Sequence, residues 1–548
     1  MDLVNNRRSP VLVSITVYSV ALAMRTIPLF WSPLPFNVDG LHFARTANET
    51  LSRHHAPMFW KFLKPDEYVF TMLLATISRL TGISPLYISQ TFIACIGATL
   101  CLFVVIITWR VGVQLGWSNS DIRIAALLAG GVLATEGIFL GRSTAVSSEG
   151  LGHLFVLMSV FVFAYALITA RPAWILITGL CFLLFPLTHN LSTIIGAFSS
   201  FSLLTLCYRD SSTRANLFVG VLIVGLWVYA GIYYTATEIN QVSRIFSAPG
   251  LFIAWIIALM LLTVWLSTTQ PRLQRSIPLM MLFGGGALVI VNYFVPIFPG
   301  TATGEQLTLL FLLPIIVIGI VAFWGYPYIT QTPGVGYAIA ALLVGTLSLV
   351  GFALTAGLTV KHQGLAVRGH IFIHIAVAVL AGLGSVGLTR ARGSHTFRMM
   401  LGVGIIICSF ASAPLAFSGL HATSAQPLIT QSEFETGTFA AKHVDQWTSD
   451  GHMTRISLRY YPTKTNASEE GIYSWLHGNS SEPNCPIVSQ HSWTTVGAQL
   501  FPASPEKISK KSYKNIYLKR NVVYSNSGND PLVLSIPRGE DTTCRGNV

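Results

Sequence analysis

The chain has 548 residues, 52% of them hydrophobic and only 10% charged, against about 25% charged in a soluble domain. Apolar runs of roughly 20 residues, each long enough to cross a bilayer as a helix, recur from Val11 to Phe417. A soluble globular protein is excluded. The net charge of +12 does not point to nucleic acid, because beyond residue 420 the 12 Lys and Arg nearly balance 11 Asp and Glu, so the excess lies in the membrane part.

The first apolar run, 11–31, follows Arg7 and Arg8. It is too long for a signal peptide and lacks a small-residue cleavage site, so it reads as a retained helix. The positive-inside rule then predicts a cytoplasmic N-terminus and an outer loop over 32–84. Within that loop Asp66 to Thr81 is only moderately apolar and carries Arg79, which fits either a span or an amphipathic helix on the outer surface. Charge decides between them. With a surface helix, spans follow at 85–109, 124–140, 150–170, 173–189, 191–207, 215–235, 250–267, 277–297, 306–324, 335–358, 369–389 and 399–418, about 13 in all. Arg110, Arg123, Arg171, Arg209, Arg214, Arg272, Arg275, Arg390, Arg392 and Arg398 then face the cytoplasm, whereas a spanning 66–81 reverses every later loop.

The same topology divides the chain into a membrane domain, 1–420, and an extracytoplasmic domain, 421–548. The latter is predicted to be a small α+β unit: a helix over Glu433 to Trp447, then strands at Arg455 to Tyr461 and Asn521 to Tyr524, with Ser525-Asn-Ser-Gly-Asn-Asp as a turn. It carries sequons at Asn466 and Asn479. Five of the seven Cys lie in or beside apolar helices as small hydrophobes. Cys485 and Cys544 could pair only outside the reducing cytoplasm.

Charges near a membrane are costly, so those that topology leaves unexplained are functional candidates. All fall on the outer side. The first loop holds Asp39, His42, Arg45, Glu49, His54, His55 and Lys61; later loops hold Arg142, Glu149, His153, His189, Asn190, Glu238, Arg244, Glu305, Lys361, His362 and Arg368. Each has a plainer reading. Asp39 precedes a helical pattern and would serve as an N-cap. Glu149 opens a helix, where an acid complements the macrodipole, and Glu305 stands as a solvated acid before Leu307. His153 would be a core histidine, one turn from Glu149 on the same face. Arg368 and the intrahelical Arg25 would reach to the interface, and Gly284-Gly285-Gly286 reads as close helix packing.

Two stretches carry a resemblance. Val38-Asp39-Gly40-Leu-His-Phe-Ala-Arg-Thr-Ala-Asn-Glu is similar to the acidic first-loop motif of the GT-C superfamily of membrane glycosyltransferases. Leu140-Gly141-Arg142-Ser-Thr-Ala-Val-Ser-Ser-Glu149-Gly150-Leu resembles its second-loop motif, with Ser147 where an Asp-x-Asp pair would have its first acid. Glu305 stands where the family has a fifth-loop Glu, and Arg368 where an Arg faces the lipid phosphate. The topology most resembles catalytic subunits of oligosaccharyltransferases, including archaeal-type members, but the Trp-Trp-Asp-Tyr-Gly with which these hold their acceptor is missing from the sequence.

The resemblance therefore implies transfer of a sugar from a polyprenyl (dolichyl) phosphate-linked donor to a glycan or glycoprotein acceptor, with inversion. Asp39 and Glu149 would be catalytic, and His42, Arg45, Arg142, His153, His189 and Arg368 would bind substrate. Asp39, Glu149 and Glu305 would hold Mg²⁺ or Mn²⁺. Implied partners are membrane lipids, the lipid-linked donor and the acceptor, with no nucleic acid. The alternatives are oligosaccharyltransferase-like transfer of a whole lipid-linked glycan, and a lipid-linked-sugar flippase or solute transporter. The last would show midplane charges and broken helices in two matching halves.

Overall fold

The structure is a computed structural model describing residues 2–55, 64–208, 211–239, 247–299, 306–417, 427–500, 505–527, 530–539 and 544. Glu305, Lys61, Arg209, Arg244 and the 420/421 domain boundary lie outside the described residues.

Helix α1 (Asp2–Thr26) is followed by α2 (Asp39–Arg53), α3 (Tyr68–Thr81), α4 (Pro85–Gln114), α5 (Asn119–Thr135), α6 (Gly137–Thr144) and α7 (Ser148–Thr169). Then come α8 (Pro172–Thr188), α9 (Asn190–Cys207), α10 (Thr213–Ala236), α11 (Pro249–Thr268) and α12 (Pro271–Phe294). The membrane part ends with α13 (Gln306–Thr330), α14 (Val335–Thr355), α15 (Val360–Arg392) and α16 (His395–Ser412). Among the described residues eleven helices are long and apolar enough to span, and the bent pair α5–α6 makes a twelfth. The remaining predicted span, 173–189, is α8, a shorter apolar helix. The protein is a polytopic α-helical membrane protein.

Helix α3 is not among the span candidates. Its buried residues, Phe70, Thr71, Leu74, Ala75 and Ser78, recur at helical spacing, while Leu80 is 80% exposed. One apolar stripe packs inward and the other face is open, which is the pattern of a surface helix.

Three expectations are corrected inside the bundle. The 124–140 span begins at Asn119 and breaks by 62° at Glu136. There the buried carboxylate accepts from Ile138 N and Phe139 N at 2.9 and 3.0 Å and starts a new helix. Arg25 does not reach an interface: it is fully buried and donates to Ser143 Oγ and to the carbonyls of Ala21, Leu133 and Ala134. Its charge is used to satisfy carbonyls freed near that break. At Gly284 and Gly285 no atom lies within 4 Å of an added Cβ, so the glycine run is not a packing seam.

The C-terminal domain has α17 (Gln431–His443), α18 (Gly451–Tyr460), α19 (Glu470–Leu476) and α20 (Lys510–Leu518) on a five-stranded sheet. Strands β1 (Gln446–Thr448), β2 (Asn466–Ser468), β3 (Ile487–Gln490), β4 (Arg520–Ser525) and β5 (Leu532–Pro537) lie in the order β2-β1-β3-β5-β4. β1 runs parallel to β2 and β3, and β5 antiparallel to β3 and β4. Cys485 and Cys544 are disulfide-bonded.

Two assignments change in this domain. The predicted helix over 433–447 stops at His443, and Trp447 lies in β1. The stretch 455–461, predicted as a strand, is the second half of α18. Asp450 caps that helix by accepting from Met453 N, and Met453, Ile456 and Ser457 are buried at helical spacing. Leu34, Val38, Leu41 and Ala44 of the first loop share one apolar cluster with Ile429, Met453, Ile456 and Val488. The domain is thus seated on α2.

Candidate active site

The two resembling stretches meet because their loops are tied together. Val146 N donates to Phe36 O at 2.9 Å, and Gln90 Oε1 accepts from Phe36 N at 2.9 Å while its amide donates to Arg25 O and Thr144 O. Gly40 sits at this crossing, where a Cβ would collide with the Pro35 side chain and touch Val146. Asn37, at φ 110°, turns the chain into α2; its side chain accepts from Asp39 N at 3.2 Å and its own N donates to Pro427 O. Asn is one of the residues that tolerates this region. Asp39 is therefore the first residue of α2 rather than its cap, and its carboxylate is left for other contacts.

A cavity of about 530 Å³ opens there, lined by Asp39, His42, Lys64, Asp66, Glu67, Arg142, Glu149, His189, Asn190, Glu238, Arg368 and Arg459, among others. Asp39, His42, Arg142, Glu149, His189 and Arg368, widely separated in sequence, share it. Arg45 stands one step behind, donating to His42 Nδ1 at 3.1 Å and pairing with Glu49. His153 does not line it: it is fully buried, with ring centroids 5.7 Å from Phe139 and 4.2 Å from Phe372. Glu305 lies outside the described residues.

The inner end is cationic around one acid. Glu149 is 2% exposed, and its Oε2 receives Arg368 Nε and Nη2, both at 2.9 Å, with Arg142 Nη2 at 3.5 Å. Arg368 Nη2 also lies 3.0 Å from His189 Nε2. Guanidinium can only donate, so Nε2 is the acceptor there; Nδ1 lies 2.9 Å from Ser192 Oγ and 3.3 Å from Ser192 N. A substrate anion beside Arg142 and Arg368 would meet two cations already oriented by Glu149.

Asp66, Glu67 and Lys64, which the sequence did not single out as a site, form a second group with Asn190. Asn190 Nδ2 donates to Asp66 Oδ2 at 2.7 Å, and Glu67 pairs with His42 at 3.3 Å and Lys64 at 3.2 Å. Burial, then the charge of Glu67, pushes the Asp66 carboxyl up to about 6. Burial alone would raise Glu67 too, but His42 and Lys64 outweigh it and hold Glu67 below the usual range. At the mouth, half-exposed Asp39 meets Arg459 of α18 at 3.0 Å.

Of the three carboxylates that the sequence suggests for a divalent cation, Asp39 and Glu149 face arginines and Glu305 lies outside the described residues. Glu149 Oε2 is committed to two arginines and Asp39 Oδ1 to a third. Among the described residues no three His, Cys, Asp or Glu are grouped to hold a metal.

The fold resembles that of a solved archaeal oligosaccharyltransferase. Against the archaeal oligosaccharyltransferase AglB from Archaeoglobus fulgidus, solved with an inhibitory peptide and a dolichol-phosphate, the TM-score is 0.51 at 13% identity over 87% of this chain and 69% of that one. A second Archaeoglobus fulgidus oligosaccharyltransferase structure, with Zn and sulfate, gives 0.48 at 13% identity over 96% and 75%. ArnT from Cupriavidus metallidurans gives 0.36 at 11% over 95% and 97%. No family model and no curated protein matches the sequence.

Proposed function

We propose that the protein moves a single sugar from a polyprenyl-phosphate donor to a hydroxyl of a glycan or glycoprotein, at the membrane face that carries the C-terminal domain. The observation that carries this reading is the paired arginines, Arg142 and Arg368, at the inner end of a cavity whose mouth holds a half-exposed carboxylate, Asp39. A donor with its chain in the bilayer and its phosphate at headgroup level needs that order of groups.

In the proposed step Asp39 takes the proton of the acceptor hydroxyl. The oxygen attacks the anomeric carbon from the side opposite the phosphate, and the sugar–oxygen bond to phosphate breaks. The electron pair leaves with polyprenyl phosphate, whose charge Arg368 and Arg142 neutralise. One displacement inverts the anomeric centre. His189 holds Arg368 in place, His42 and Arg45 support Glu67 and the α2 end of the cavity, and His153 fills space beneath Glu149.

The bonded Cys485–Cys544 pair and the exposed sequon residues Asn466 and Asn479 support a C-terminal domain outside the cytoplasm. Transfer of a whole glycan is the second reading, favoured by the likeness to AglB.

The test uses the purified chain in lipid vesicles with polyprenyl-phosphate hexose labelled in the sugar, plus glycan or glycopeptide acceptors. Release of label to the acceptor is expected. Reorientation of the lipid without cleavage would instead identify a flippase.

A further inference from the structure

Among the described residues, two buried oxygens on residues that line the cavity find no hydrogen-bond donor: Glu149 Oε1 and Asn190 Oδ1. Their residues are 2% and 7% exposed. Neither can be relieved locally. The other oxygen of Glu149 is held by Arg368 and Arg142. Asn190 cannot exchange its amide ends, because Nδ2 donates to Asp66 Oδ2 at 2.7 Å and the swap would set oxygen against carboxylate. Buried acceptors of this kind call for a donor from outside. Asp66 and Glu67 add two more acceptors to the same lining. Among the described residues no three His, Cys, Asp or Glu are grouped here to hold a metal ion. Hydroxyl or ammonium groups suit these acceptors.

We infer that Asn190, Asp66 and the free oxygen of Glu149 form the subsite for the transferred sugar ring, and that it selects sugars presenting hydroxyl or amino donors over acidic sugars. This rests on the proposed lipid-phosphate reading, with the phosphate on Arg142 and Arg368. A hexose seated beside those arginines offers O–H donors to the unfilled oxygens. A uronic acid would bring a carboxylate, which only accepts, toward Asp66 and Glu67 and would be repelled by them.

The test measures binding to the full chain in nanodiscs by calorimetry, using hexose 1-phosphate, the matching hexuronic acid 1-phosphate and inorganic phosphate. Hexose 1-phosphate is expected to bind tightest, with the uronate at least about tenfold weaker, the scale of one lost charge-assisted hydrogen bond. Asn190→Leu should cost hexose 1-phosphate about tenfold and leave inorganic phosphate unchanged; Asp66→Asn, a milder change, should act in the same direction. The subsite is overturned if the uronate binds as well as the hexose, if both variants leave hexose 1-phosphate unaltered, or if hexose 1-phosphate gains nothing over phosphate. Arg368→Met tests the broader reading separately: unchanged phosphate affinity there would sink the phosphate site without deciding the sugar comparison.

Discussion

The two ends of the cavity hold the same kind of pair, an arginine on a carboxylate, in opposite surroundings. At the inner end Glu149 is 3% exposed in its side chain and meets Arg368 at 2.9 Å; at the mouth Asp39 is 53% exposed and meets Arg459 at 3.0 Å. Nearly equal distances conceal unequal energetics. An exposed pair contributes about 0–1 kcal/mol, whereas breaking a buried pair strands a charge and costs about 3–5 kcal/mol. The inner end is thus a fixed electrostatic frame, while the pair at the mouth can be opened at little cost.

The largest expected effect tests the frame. Arg368→Met leaves Glu149 buried with only Arg142 at 3.5 Å, and should lower stability by about 3 kcal/mol, read as a fall in the thermal midpoint in detergent. Transfer should fall with it. An unchanged midpoint would remove the distinction between the two ends. Asp39→Asn should do the reverse: a loss of roughly 10²–10⁴-fold in transfer rate with the thermal midpoint unmoved, since the residue is half-exposed. Wild-type rates in that variant would sink Asp39 as the base.

Between the ends, Asp66 gives the comparison a pH axis. Its folded pKa of about 6 lies above the ordinary carboxylate value, so the folded protein binds a proton more tightly than the unfolded chain. The associated stability is full below about pH 4 and is lost as pH rises through 6, a change on the order of 3 kcal/mol. Thermal midpoints of wild type should therefore decline relative to Asp66→Asn between pH 4 and 6.5. Parallel curves would show that Asp66 titrates normally.

What the sequence revealed of this arrangement follows from what the bilayer demands. Spanning helices need unbroken apolar runs, so the membrane helices were legible, and the surface character of 66–81 followed from its Arg79 and from the charges of later loops. Asp39, Arg142, Glu149, His189 and Arg368 stood out as charges that topology left unexplained. Asp66 and Glu67 did not, because they read as the polar start of α3, and only folding brings Asn190 to within 2.7 Å of Asp66. The bend at Glu136 was hidden because a capping acid in a membrane run looks like any stray charge. Arg459 was missed for a different reason. Its segment alternates well enough to pass for a strand, and the helix signal lay upstream, in the Asp450 cap.

Arg459 also supplies the smallest and most discriminating prediction. It belongs to the C-terminal domain, yet it lines the cavity and contacts Asp39. Arg459→Ala should change stability by less than about 1 kcal/mol, because both partners are exposed and the domain is held to α2 by its apolar cluster instead. If the ion pair only shields Asp39 until the acceptor displaces it, the rate at saturating acceptor should be unchanged and the apparent KM for acceptor should fall or stay level. If Arg459 instead grips the acceptor, KM should rise several-fold at unchanged kcat. A fall of several-fold in kcat with KM unaltered would contradict both, and would mean that Arg459 holds Asp39 in its reactive position, making the mouth as preorganised as the inner end.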